Sequence, residues 1–159
     1  MKHLKTYNEN QFIKDHLSGD GKSLDLDKLN LTELPKLPEG LERLDCDNNL
    51  LTELPKLPKE LKVLYCGGNQ LTQLPELPKG LKILSCHNNR LTELPELPEG
   101  LRYLDCNNNQ LTELTELPKE LKTLYCHSNK LPYYNINGYW EWFWKENPDL
   151  YNANKMGLM

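Results

Sequence analysis

Five cysteines stand twenty residues apart, at Cys46, Cys66, Cys86, Cys106 and Cys126. If each ends a short strand of one sheet, their thiols form a column about 5 Å apart, and such a column invites a metal-binding or redox role. The geometry argues against both. Tetrahedral zinc needs four converging sulfurs rather than a row, and neighbouring parallel strands hold their Cβ atoms too far apart for unstrained bridging. Leu26 occupies the equivalent slot of the first unit, so the column reads as small buried hydrophobes. His87 and His127 lie two units apart, about 10 Å, too far to share an ion. Gly67 and Gly68 form a lone pair in a turn rather than a phosphate-binding loop. With no nucleophile and base brought together by the spacing, no catalytic, cofactor-binding or metal-ligating residue is assigned, and the chain is expected not to be an enzyme.

The elements that would hold these residues follow from the same period. The segment LTELPKLPEGLERLDCDNNL starts at Leu31 and recurs, edited, from Leu51, Leu71, Leu91 and Leu111. A period of this length marks a solenoid, whose units cannot bury their apolar faces alone and must stack on neighbours. Within a unit Leu44 and Cys46 sit two apart, so both face inward from a short strand while Arg43 and Asp45 face out. Strands are expected at 24–26, 44–46, 64–66, 84–86, 104–106 and 124–126, forming one curved parallel sheet. Valine occurs only at Val63, so stacking rather than β-branched propensity must hold these strands. The return path carries the pairs Pro35 and Pro38, Pro55 and Pro58, Pro75 and Pro78, and Pro95 and Pro98, then Pro118 alone because Thr115 replaces its mate. Proline every third residue favours an extended, polyproline-like convex side over a helix. The fold class is therefore an α/β or mainly β solenoid.

A second column, Asn49, Asn69, Asn89, Asn109 and Asn129, places an amide where its donor and acceptor can satisfy backbone groups of adjacent units. The first unit has Leu29 there, as befits an end with no preceding unit to bond. Lys62, Lys82, Arg102 and Lys122 form a basic stripe, but Glu42 starts it and Glu53, Glu93 and Glu113 offset it elsewhere. It is expected to be a solvated charged face. The net charge of −4 argues against nucleic acid and anionic membrane as partners. Residues 1–20 contain no apolar stretch of signal-peptide length, and nowhere do 18 apolar residues run together. A cytoplasmic protein without a membrane span is expected, consistent with reduced thiols.

The pattern resembles the leucine-rich repeat family, most closely the short bacterial effector class whose twenty-residue units carry an LPxLP segment. The cysteine column resembles the cysteine ladder of some internalin-type repeats. The match runs from about Leu24 to Leu131. It implies a scaffold that binds protein on its concave face, and it makes delivery into a host cell one route to the cytosol. Some effectors of this class append a cysteine-dependent ubiquitin ligase domain, for which the residues after Leu131 are too few.

Positions identical in every repeat are committed to the core, so function is expected where repeats differ and point outward. One such column reads Arg43, Val63, Ile83, Tyr103 and Thr123; the next reads Asp45, Tyr65, Ser85, Asp105 and Tyr125. Tyrosines and aliphatics beside acids resemble an interface core with a polar rim. These ten residues are the expected surface for a protein ligand, on a monomer that needs no cofactor. The organisation is expected to be an N-terminal cap at 1–23, with Phe12, Ile13 and Leu17 on a short amphipathic helix ended by Gly19 and Gly21, repeats at 24–131, and an aromatic cap at 132–159. In the last segment Trp140, Phe143 and Trp144 share one helical face, with Trp142 pointing elsewhere among Tyr133, Tyr134, Tyr139 and Tyr151. The rival expectation is a structural protein that assembles through this aromatic segment or an open sheet edge.

Overall fold

The computed structural model describes residues 11–114, 116–132, 137–139, 141 and 145. Six three-residue strands follow one another at twenty-residue intervals: β1 (Ser23–Asp25), β2 (Arg43–Asp45), β3 (Val63–Tyr65), β4 (Ile83–Ser85), β5 (Tyr103–Asp105) and β6 (Thr123–Tyr125). They form one parallel sheet in sequence order. The register is unbroken, with Leu24, Leu44, Leu64, Leu84, Leu104 and Leu124 aligned across all six strands.

Each strand lies one residue earlier than the sequence pattern suggests. The cysteine that was expected to end it still joins the ladder, since the amide of Cys46 donates to the Tyr65 carbonyl at 2.8 Å. The difference is therefore one of strand boundary. Inward and outward phasing is as expected: Leu44 and Cys46 are fully buried, while Arg43 and Asp45 lie on the outer side and are half-buried.

Behind the sheet, Leu41, Leu44, Cys46, Leu51, Leu54 and Leu57 and their equivalents form a continuous core. The proline-bearing return segments carry neither helix nor strand among the described residues. Each ends in a tight turn, as where the Leu61 amide donates to the Pro58 carbonyl at 3.2 Å. The turn after each strand passes through the left-handed region at Lys28, Asn48, Gly68, Asn88, Asn108 and Ser128, a conformation that asparagine and glycine tolerate best.

The asparagine column stitches the repeats together. Asn89 donates through Nδ2 to the carbonyls of Cys66, Cys86 and His87 at 3.0, 3.1 and 3.2 Å, and its Oδ1 accepts the Leu71 amide at 3.0 Å. One side chain thus satisfies backbone groups in its own repeat and the preceding one. Asn49 does the same toward Leu26 and Leu31, which explains why the first repeat, lacking a predecessor, can carry Leu29.

At the N-terminal end residues 11–16 are helical, and Phe12, Ile13 and Leu17 pack on the core. The helix stops earlier than Gly19, because Leu17 instead bridges antiparallel to Leu24. At the other end residues 137–139, 141 and 145 are helical and Tyr139 is buried in the core. Thr115, Tyr133, Tyr134, Trp140, Trp142, Phe143, Trp144 and Tyr151 lie outside the described residues, and so does the expected aromatic helical face. No helix among the described residues is long and apolar enough to cross a membrane.

Candidate functional site

Because successive strand residues alternate, the first and third residue of every strand stand on the outer face of the sheet. The expected columns, Arg43, Val63, Ile83, Tyr103 and Thr123 beside Asp45, Tyr65, Ser85, Asp105 and Tyr125, therefore come together on one surface five strands wide, β2 to β6. Two aromatic contacts organise it. The Arg43 guanidinium lies 4.4 Å from the centre of the Tyr65 ring and pairs with Asp45 at 3.0 Å. Tyr103 meets Tyr125 edge to face at 5.9 Å between ring centres, and Tyr125 is left 46% exposed. Burial first, then the charge of Asp105 and the neighbouring Tyr125 and Tyr65, raise the Tyr103 phenol above its usual range.

Ser85 departs from the expectation of an outward contact. It is buried, and its hydroxyl lies 2.9 Å from His87 Nδ1. Asp105 Oδ2 approaches the same nitrogen at 3.9 Å. A hydrolytic relay needs serine and carboxylate on opposite imidazole nitrogens, so these three side chains cannot act as one. The imidazole fills the space that a Cβ on Gly67 would take. A side chain there would have to displace the His87 ring, which leans back across the previous repeat. On that side stands Asp47, whose Oδ1 accepts the Gly67 amide at 2.6 Å. Burial pushes the Asp47 carboxyl up to about 6, opposed by the Gly67 hydrogen bond and by His87 and reinforced by Asp45 and Asp27. Burial likewise raises Asp45, against the pull of the Asp47 amide and Arg43.

The thiols are buried and unbridged. Cys46, Cys66 and Cys106 each donate through Sγ to the carbonyl of a residue on the next strand, Tyr65, Ser85 and Tyr125, at 3.3, 3.5 and 3.4 Å. Burial drives Cys46, Cys66, Cys86 and Cys106 far above the ordinary thiol range and Cys126 to about 12. Thiolate chemistry at neutral pH is thereby suppressed. Among the described residues no three His, Cys, Asp or Glu side chains converge to hold a metal ion. Two open hollows, lined by residues such as Leu57, Pro75, Leu77, Pro78 and Leu97, lie between proline-bearing segments away from these columns.

Residues 59–99 match the family model for two copies of leucine-rich repeats, and residues 100–124 match that for a single leucine-rich repeat. The leucine-rich repeat domain of a Shigella effector superposes with a TM-score of 0.75 at 38% identity, over 79% of this chain and 58% of that one.

The chain folds as a leucine-rich repeat stack.

Two further solved structures agree. YopM from Yersinia enterocolitica has a TM-score of 0.71 at 43% identity, over 76% of this chain and 28% of that one. The YopM leucine-rich effector from Yersinia pestis has a TM-score of 0.68 at 37% identity, over 76% and 41%. The chain therefore spans between about a quarter and three fifths of these proteins. No curated protein sequence matches it.

Pattern reading of the leucine-rich repeats found the outward columns but missed the cluster of Asp47, Gly67, His87 and Asp105. The signal was present in the substitutions themselves, since Asp47, Gly67, His87 and Asn107 occupy one position of successive repeats. A glycine followed one repeat later by a histidine in the same column is a small-then-large pair.

Proposed function

We propose that this leucine-rich repeat protein is a non-enzymatic module that binds a protein partner through the outer, concave face of its sheet. Residues 24–131 supply the repeats, with 1–23 and 132–159 as caps, and the chain acts as a monomer. The observation that carries the reading is the edge-to-face pair of Tyr103 and Tyr125, part of it exposed, on a face that also bears Val63, Tyr65 and Ile83. Large, stiff aromatic side chains on a rigid surface are the usual anchors of protein interfaces, because they bury much area with little loss of freedom. Arg43, Asp45, Asp105 and Thr123 form its polar surround, and Ser85 contributes through His87 rather than by contact.

The buried reduced thiols suit a reducing compartment, so the cytosol is the proposed site of action. The likeness to the Shigella and Yersinia effectors supports the cytosol of another cell. The binding reading is tested by capture from source lysate with the native chain and with a Y65A/Y103A/Y125A variant. A partner retained by the native chain and lost from the equally folded variant supports it. Equal recovery by both contradicts it.

A further inference from the structure

Lys22, Glu42, Lys62, Lys82, Arg102 and Lys122 stand one repeat apart, each just before or beside the start of a strand, along one rim of the sheet. Sequence alone makes the stripe of Lys62, Lys82, Arg102 and Lys122 a solvated face, started by Glu42 and offset by Glu53, Glu93 and Glu113 elsewhere. The structure divides it. Glu42 pairs with Lys22 at 2.8 Å and with Lys62 at 2.6 Å, holding its own carboxyl below the usual range. Lys82, Arg102 and Lys122 are exposed and have no acidic partner among the described residues. The Lys82 side chain reaches toward the next repeat, its ammonium seated over Gly100. Three unpaired cations therefore follow one another at the strand spacing, beside Ile83, Tyr103 and Thr123.

We propose that this part of the face, β4 to β6 with its cationic rim, docks an amphipathic helix of a protein partner. An acidic row on the helix meets Lys82, Arg102 and Lys122, and an adjoining apolar stripe covers Ile83, Tyr103 and Thr123. The inference rests on the concave-face reading above and adds the chemistry of the partner.

Spacing selects a helix over a strand. Anchors on adjacent parallel strands recur about every 4.8 Å, so three of them span about 9.6 Å. Side chains on one helix face recur about every 5.4 Å along the axis, and three span about 10.8 Å. An extended segment lying across the sheet repeats its same-side residues about every 6.8 Å and overshoots by about 4 Å. Charge then fixes the roll of the helix. The strand-end side of β4 to β6 carries Asp105, which would repel an acidic row, so the strand-start rim is the side that accepts it. The net charge of −4 opposes a nucleic-acid backbone, which needs a broader basic field than three residues.

The test uses the full chain and three synthetic 21-residue helical peptides with one leucine stripe. They carry a flanking row of Glu, Gln or Lys, and binding is read by fluorescence anisotropy at low and high salt. The native chain should bind the Glu peptide at least tenfold more tightly than the Lys peptide, with the gap narrowing as salt rises. K82E/R102E/K122E should reverse the order. Circular dichroism checks its fold, and the milder K82Q/R102Q/K122Q, which should abolish the preference, serves if the reversal does not fold. If all three peptides bind alike and only Y65A/Y103A/Y125A loses them, the cationic assignment falls while the concave reading stands. Binding unaffected by the tyrosine changes contradicts both. No binding of any peptide, or tighter binding of a single-stranded oligonucleotide, overturns the helix as occupant.

Discussion

At the scale of single residues, the least comfortable group is Asp47. Its carboxyl, pushed up to about 6 chiefly by burial, is harder to ionise in the folded chain than in the unfolded one. Ionisation therefore costs stability above pH 6, and the cost fades as pH falls toward the ordinary carboxylate value of 3.8. Asparagine fits this slot, because Asn107 occupies it three repeats on and accepts the His127 amide through Oδ1 at 2.8 Å. Asp47→Asn should keep the Gly67 hydrogen bond and raise stability at pH 7 by about 1 kcal/mol, a figure held down because water still screens this half-buried carboxylate. Urea unfolding at pH 7 and pH 4 checks this, since the advantage should vanish at the lower pH. Asp47 illustrates what one sequence cannot reveal. Its environment depends on His87 crossing over Gly67 from two repeats away, and pattern reading fixes which way a side chain starts but not how far it leans.

At the scale of the element, each repeat is a strand, a left-handed turn and an extended return, fastened by one asparagine. Its type, position and role in satisfying neighbouring backbone could be read directly, because only a side chain with both donor and acceptor recurs there. Asn89→Ala would leave the Leu71 amide without its acceptor inside the core, whereas the carbonyls of Cys66, Cys86 and His87 would each lose one of two donors and keep Asn69, Asn109 and the Gly68 amide. Unfolding experiments should show a loss of about 2 kcal/mol, since one buried unsatisfied group costs about 1 to 3 kcal/mol. Asn129→Ala, at a part-exposed position, should cost clearly less because water replaces some of the lost bonds. Strand boundaries were less legible by one residue. Cys46 donates to the next strand without belonging to one, a distinction of hydrogen-bond counting that side-chain pattern does not encode.

At the scale of the molecule, a stack of six strands gives each residue a partner one repeat away, and columns become the units of both stability and recognition. The inward columns of leucine, cysteine and asparagine were visible because repetition marks them. The outward ones were visible only as the places where repetition stops. What these places do together required coordinates: Arg43 folds over Tyr65, Ser85 withdraws beneath His87, and Glu42 neutralises Lys22 and Lys62 while three later cations have no acidic partner among the described residues. The central claim is that the concave face is where a partner lies. Hydroxyl-radical footprinting of the chain, alone and with its captured partner, tests it at side-chain level. Protection of Tyr65, Tyr103 and Tyr125, with Leu57, Leu77 and the other return-segment residues unchanged, is the expected result. Protection confined to the return segments, with the three tyrosines as reactive as in the free chain, would contradict it.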